Sequence, residues 1–315
     1  MRTQILAVAV ACLILSAANA AQAAEPFWAQ ATFIKGEISF VPAGEDEAGS
    51  LERGQVLHQG DTVAVPEGAR ASFLLNDGGI LVLKSSTETV LGPKVEAGEP
   101  SLKTVASNLS KTLLSREGDN PMLKHLGGLR GGYRNAALAP CRTKVLGDGV
   151  RLIWMKNTGT KKYIVTLMGP GDDLKEKTIT ETYWDVSSAD LAPGEMYYWE
   201  VRDAASPDSF STLGSGSFTV LEDKAGQEVR GLLSGIRTAF SGSTPVEDST
   251  PLFLSYQIYR EKGLNLDALV TLREMIGYDP ADETLRRWQR EICKEMGLPE
   301  ELVPVLMEMK SETGS

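Results

Sequence analysis

Histidine and cysteine are nearly missing from this chain, with 2 His and 3 Cys in 315 residues. His58 and His125 sit in different segments, and no H-x-x-x-H or C-x-x-C spacing accompanies them. A transition-metal site is therefore not expected, because such sites need imidazole and thiolate ligands at set spacings. There is no G-x-S-x-G elbow, no Walker loop and no S-x-x-K pair. Gly127-Gly128-Leu129-Arg130-Gly131-Gly132 lacks the Lys-Ser/Thr that would follow in a phosphate cradle. Gly171-Asp172-Asp173 lacks the further spaced oxygens that calcium takes. No cofactor, metal or catalytic residue is assigned, and the chain reads as a non-enzyme. Carboxylates are plentiful, at 42 Asp plus Glu, so counting leaves a noncontiguous two-acid glycosidase site open as an alternative.

Basic charge is also in deficit. The formal net charge is −10, which favours solubility and argues against nucleic acid as a partner. Long apolar runs are absent except at the start, where Arg2 precedes Ile5 to Leu15 and two A-x-A sites follow at Ala18-Asn19-Ala20 and Ala21-Gln22-Ala23. That run is shorter than the roughly 18–20 residues of a spanning helix. Residues 1–23 are expected to be a secretory signal peptide, which places the mature chain in the periplasm with no transmembrane segment. Cleavage removes Cys12 and Arg2 and leaves Cys141 and Cys293, which are expected to be free buried thiols.

Residues 27–95 read as short strands punctuated by glycine. The Asn76-Asp77-Gly78-Gly79 run predicts a tight hairpin, since these residues tolerate positive φ. Gly36, Leu51, Gly54, Leu57, Gly60-Asp61, Val63, Gly68, Ala71, Phe73, Leu75, Asp77-Gly78, Leu81, Leu83 and Thr87 resemble the FecR domain pattern. The resemblance covers about a fifth of the chain and implies structural roles for these positions, with Asp61 and Asp77 bonding backbone in turns. In FecR signal regulators a cytoplasmic segment and a membrane helix precede the domain; here a signal-like segment does. The resemblance thus implies an extracytoplasmic sensing or scaffolding module.

Residues 96–138 form a connector, helical at first and then glycine-rich. From Ser101 to Arg151 nine cations face three acids, a local balance of +6. Lys124, Arg130 and Arg134 are candidate contacts for an anionic envelope polymer. The other reading is a solvated linker whose charges partner acidic neighbours.

Residues 139–222 predict a second β unit. Leu191-Ala192-Pro193-Gly194-Glu195-Met196-Tyr197 resembles the L-x-P-G-x-x-Y run of fibronectin type III sandwiches, which implies a corner role for Tyr197. Alternation from Met196 to Val201 places Tyr197, Trp199 and Val201 on the core face and Tyr198 and Glu200 on the other. Tyr198, Tyr183 and Trp184 remain as candidates for stacking on a ligand.

Residues 223–312 are expected to be helical. Leu252, Ser255, Tyr256, Tyr259, Gly263, Ala268, Leu272, Met275 and Pro280 resemble a single tetratricopeptide repeat, with helices over 251–262 and 266–277 and a following helix over 281–296. The resemblance implies that Phe253, Gln257 and Arg260 face a partner. The alternative is a helical cap on the preceding domain. The fold class is therefore multi-domain, mainly β followed by α. The functional expectation is a non-catalytic envelope adaptor or sensor scaffold whose partner is an envelope protein or a cell-wall glycan. The main rival is a peptidoglycan or polysaccharide binder using the connector and exposed aromatics.

Overall fold

The computed structural model describes residues 28–92, 102, 105–107, 136–206, 212–241 and 249–311. The predicted signal segment and nearly all of the basic connector lie outside them, including Lys124, Arg130 and Arg134. Within them, a β-rich region of several antiparallel sheets is followed by a helical region.

The first eight strands are β1 (Trp28–Lys35), β2 (Ser39–Val41), β3 (Gly49–Ser50), β4 (Val56–His58), β5 (Thr62–Val65), β6 (Arg70–Leu75), β7 (Ile80–Lys84) and β8 (Thr87–Val90). They form two four-stranded sheets, ordered β4-β1-β6-β7 and β3-β2-β5-β8. Between these lies a core of Ala29, Ala31, Leu57, Val63, Phe73, Leu75, Leu81 and Leu83. The β6–β7 hairpin turns where the sequence predicts it. Gly78 has φ +87° and Asp77 Oδ1 accepts from Gly79 N at 2.8 Å. Asp61, buried without a cation, accepts from Ala43 N at 2.9 Å and from His58 N at 2.8 Å. Two backbone donors satisfy a carboxylate that would otherwise be costly to bury.

The second β unit contains β9 (Ala137–Ala139), β10 (Thr143–Val145), β11 (Val150–Trp154), β12 (Tyr163–Met168), β13 (Leu174–Ile179), β14 (Tyr183–Val186), β15 (Met196–Asp203) and β16 (Gly214–Val220). A three-stranded sheet, β14-β11-β9, faces a five-stranded one, β10-β16-β15-β12-β13. Trp154, Tyr163, Trp199 and Phe218 fill the space between them. Trp154 and Tyr163 meet edge-on at 5.7 Å, and Trp199 Nε1 donates to Pro140 O at 2.9 Å. The buried indole is thus satisfied, as a large aromatic with a polar handle requires.

Five helices follow: α1 (Asp223–Ala239), α2 (Thr250–Lys262), α3 (Asn265–Tyr278), α4 (Glu283–Met296) and α5 (Val303–Ser311). Gly263, at φ +74°, ends α2 in the left-handed conformation that glycine adopts without steric cost. The helices do not trail from the β region. Phe253, Leu254, Leu269, Leu272 and their neighbours share one buried cluster with Trp28, Leu74 and Ile80 of the first β unit and Leu138, Ala139 and Ile153 of the second. β1 shows the consequence: Ala29 and Ala31 enter the first core, whereas Trp28 enters the helical one. The sheet containing β1 is therefore a middle layer, buried on both faces.

Candidate interaction surface

Tandem contacts first decide which surfaces are already occupied. The loop after β3 presses into the helices. Arg53, 3% exposed, donates through Nε to Asp282 Oδ2 at 3.0 Å and through Nη1 to Thr32 O and Ser249 Oγ at 2.9 and 3.0 Å. Its Nη2 lies 3.6 Å from the Asp279 carboxylate. Asp282 also caps α4, its Oδ1 accepting from Thr284 N and Leu285 N. One carboxylate thus holds both a helix terminus and the β unit. Gly54, at φ +82°, lets the backbone approach so closely that a Cβ there would stand 3.1 Å from the Trp288 ring.

This junction takes up the helix face that the repeat resemblance assigns to a partner. Phe253 is 0% exposed and its ring lies 6.0 Å from that of Trp288. Gln257 is buried as well. Arg260 makes a bidentate pair with Glu295 at 2.7 and 2.8 Å and donates to Asn265 Oδ1 at 2.7 Å. Burial opposes its charge, but the Glu295 carboxylate more than offsets that and holds the guanidinium pKa above its ordinary value. All three side chains are engaged within the chain, so the expected contact face is corrected to an internal packing face. Tyr256, large where the repeat pattern favours a small residue, stacks on Trp288 at 5.2 Å.

A second helix contact closes one edge of the five-stranded sheet. Lys144 N, on edge strand β10, donates to Gly263 O at 2.9 Å, and Thr143 Oγ1 accepts from Leu266 N at 3.3 Å. The turn between α2 and α3 therefore covers a strand edge that would otherwise be a pairing site.

Tyr197 takes the corner position. Its hydroxyl accepts from Ala192 N at 2.7 Å and donates to Asp190 O at 3.5 Å, while its ring stacks on Phe218 at 5.3 Å. Burial alternates along β15 as the pattern predicts: Tyr197, Trp199 and Val201 are buried. Of the other aromatic candidates, Tyr183 and Trp184 are half-buried, with the Arg151 guanidinium 4.7 Å above the Tyr183 ring. Tyr198 is 52% exposed.

Tyr198 has apolar company that the sequence pattern did not reveal. Pairing register sets Leu174 opposite Met168 and Met168 opposite Tyr198, and Met196 lies two residues from Tyr198 on the same face. These four are four of the six large apolar side chains exposed among the described residues, so the exposure is concentrated rather than scattered. Beside them runs a polar ladder in which Arg202 pairs with Glu176 at 3.3 Å and Glu200 at 3.2 Å. The available sequence signal was Leu174 and Met168, apolar residues standing in register on a strand face shared with Ile164, Thr166, Glu176 and Thr178.

On the first β unit an open groove of about 830 Å³ is lined by Glu37, Ser39, Ser50, Ser86 and Glu88 together with the apolar Ile38, Val65 and Pro66. Among the described residues Cys141 and Cys293 are free and buried, as expected. Burial pushes the Cys141 thiol up to about 12 against the pull of Arg142, and the Cys293 thiol up to about 11, with Glu300 adding to the effect. Among the described residues no group of three or more His, Cys, Asp or Glu side chains is placed to hold a metal ion, and no helix is long and apolar enough to cross a membrane. No protein-family model matches the chain, and no curated protein matches it.

Proposed function

We propose that this protein is a non-catalytic interaction protein of the bacterial envelope, exported by its N-terminal segment and acting as an adaptor or sensor scaffold for another protein. In this reading the N-terminal strands are a FecR-like unit, the second β unit a fibronectin-III-like sandwich, and the helices a tetratricopeptide-like element turned inward as a keystone. The Tyr197 corner supports the second assignment, and the helix boundaries on either side of Gly263 support the third.

The observation that carries the functional reading is the apolar ridge on the five-stranded sheet. An exposed cluster of Leu174, Met168, Tyr198 and Met196 rimmed by charge has the anatomy of a protein contact, apolar at its centre and polar around it. Crosslinking in the native envelope followed by mass spectrometry tests the proposal: a discrete partner is expected, and recovery of the monomer alone counts against it.

A second reading rests on Tyr198 alone. Its open ring beside the Glu200–Arg202–Glu176 ladder offers a stacking face with hydrogen-bonding groups, which suits a cell-wall glycan. Co-sedimentation with purified sacculi, abolished by Tyr198→Ala, would favour it.

A further inference from the structure

Edge strands decide what a β protein can pair with, and three of them differ here. β10 is covered by the turn between α2 and α3. On β13, Lys177 stands opposite Val165 and Lys175 opposite Leu167, both buried, so two lysines project on the core side of that edge. Charges placed so resist a further strand. β8 has neither device.

β8 borders the sheet β3-β2-β5-β8 and pairs with β5 alone. Just beyond the strand Leu91 N donates to Asp61 O at 2.8 Å. Antiparallel bonding alternates, so Thr89 and Thr87 turn their backbone groups toward β5. The N–H and C=O of Glu88 and Val90 therefore point away from the sheet, and they have no hydrogen-bond partner among the described residues.

Side chains along this edge define a second requirement. Val63 and Val65 enter the core, so Ala64 and Thr62, with Glu88 and Val90 opposite them, lie on the outer face. Val90, 62% exposed, is the most exposed large apolar side chain among the described residues. Register sets Ser50, Ser39, Ala64 and Glu88 in a row across all four strands, and this row floors the groove of about 830 Å³. The groove lining holds two carboxylates, Glu37 and Glu88, and no lysine or arginine. Both are exposed, and neither has an ion-pair partner among the described residues.

Unpaired amides and carbonyls on a strand edge match the backbone of another extended chain. Across from Val90 such a chain is best apolar. Across from Glu88, two positions along on the same face, it is best a lysine or arginine. The small side chains of Ala64, Ser39 and Ser50 leave a long cationic side chain room to lie along the groove. A second copy of β8 fits less well. In the register of fullest overlap each Glu88 would face a Val90, both carboxylates would stay without a cation, and two chains of net charge −10 would meet.

We propose that β8 accepts an extended segment of a partner protein as a fifth strand of this sheet, with an apolar residue beside Val90 and a basic residue beside Glu88. The inference rests on the reading of the molecule as an interaction protein and adds the conformation and residue pattern of what it recognises.

The test uses the full chain and a cyclic hairpin peptide, preorganised so that its free edge carries valine and lysine two residues apart on one face. A second peptide is methylated at the valine and lysine amides, and a third has glutamate in place of the lysine. The first is expected to bind and to slow hydrogen exchange at the Glu88 and Val90 amides. The second and third should bind at least about tenfold more weakly. Val90→Pro removes an outward donor and spares the β5 ladder, because the Val90 N–H bonds nothing within the sheet; it should abolish binding of the first peptide. Glu88→Lys should reverse the preference between the first and third peptides. Leu174→Ser, an exposed position on the other β unit, should leave binding unchanged. Thermal unfolding of the variants confirms that they remain folded. Absence of binding, equal binding of the methylated or glutamate peptide, or protection confined to other strands would overturn the proposal. So would self-association that Val90→Pro abolishes. Envelope crosslinking of Val90→Pro separates the two readings: a partner still captured leaves the interaction protein standing and removes the strand-pairing site.

Discussion

At position 197 a single hydroxyl closes a loop onto a strand. Tyr197→Phe keeps the ring on Phe218 and deprives Ala192 N of its acceptor. Because Ala192 is exposed, water can replace the lost bond, and the expected cost is about 1 kcal/mol of unfolding free energy by urea titration with little change in slope. The cysteines give a second residue-scale expectation. With thiols pushed up to about 12 and about 11, Cys141 and Cys293 carry almost no thiolate at mildly alkaline pH, and both are buried. Alkylation by iodoacetamide should be negligible in the folded protein and complete at both sites in denaturant. Labelling of the folded chain at either residue would contradict this environment.

At the scale of elements, α4 and the loop before β4 depend on one carboxylate. Asp282→Asn keeps a side chain that caps well but removes the charge from Arg53, whereas Asp282→Ala removes both functions. Loss of the nearer of the two carboxylates on the nearly inaccessible Arg53, with Asp279 still 3.6 Å from Nη2, is expected to cost about 2 kcal/mol in either variant. The alanine variant should lose about 1 kcal/mol more, the value of the cap. Equal stability of the two would show that the cap contributes nothing. Elements of this kind were legible beforehand only in part. The Asn76–Gly79 turn, the alternation through β15 and the Gly263 stop are local chemistry, written in consecutive residues. The fate of Phe253, Gln257 and Arg260 was not. Helical spacing shows that a face exists, but it does not show that strand β1 and helix α4, far away along the chain, fill the space in front of it. Arg53 escaped for the same reason: its partners lie 229 residues away at Asp282 and 196 away at Ser249.

Across the whole molecule, one hydrophobic cluster binds the helices to both β units. Separate cores normally allow separate transitions, but a shared one couples them. Differential scanning calorimetry should therefore record a single endotherm, with calorimetric and van't Hoff enthalpies in agreement. Two resolved transitions would mean that the shared cluster does not couple the units. Removing residues 223–315 should expose Trp28, Leu74 and Ile80 on the middle sheet and yield an aggregating fragment rather than a smaller soluble one. The same architecture explains why the only large apolar ridge left outside belongs, among the described residues, to the sheet face that the helices do not reach.

The β13 edge bears on how copies of this protein behave when crowded. Antiparallel pairing within a continuous sheet matches residues that point to the same side. In one of the two registers of fullest overlap Glu176 would meet Glu176 and Lys175 would meet Lys177; in the other, Lys177 would meet Lys177. Like charges directly opposed destabilise such ladders. The strand is thus spelled so that it resists pairing with itself, and fibril growth along that border is disfavoured.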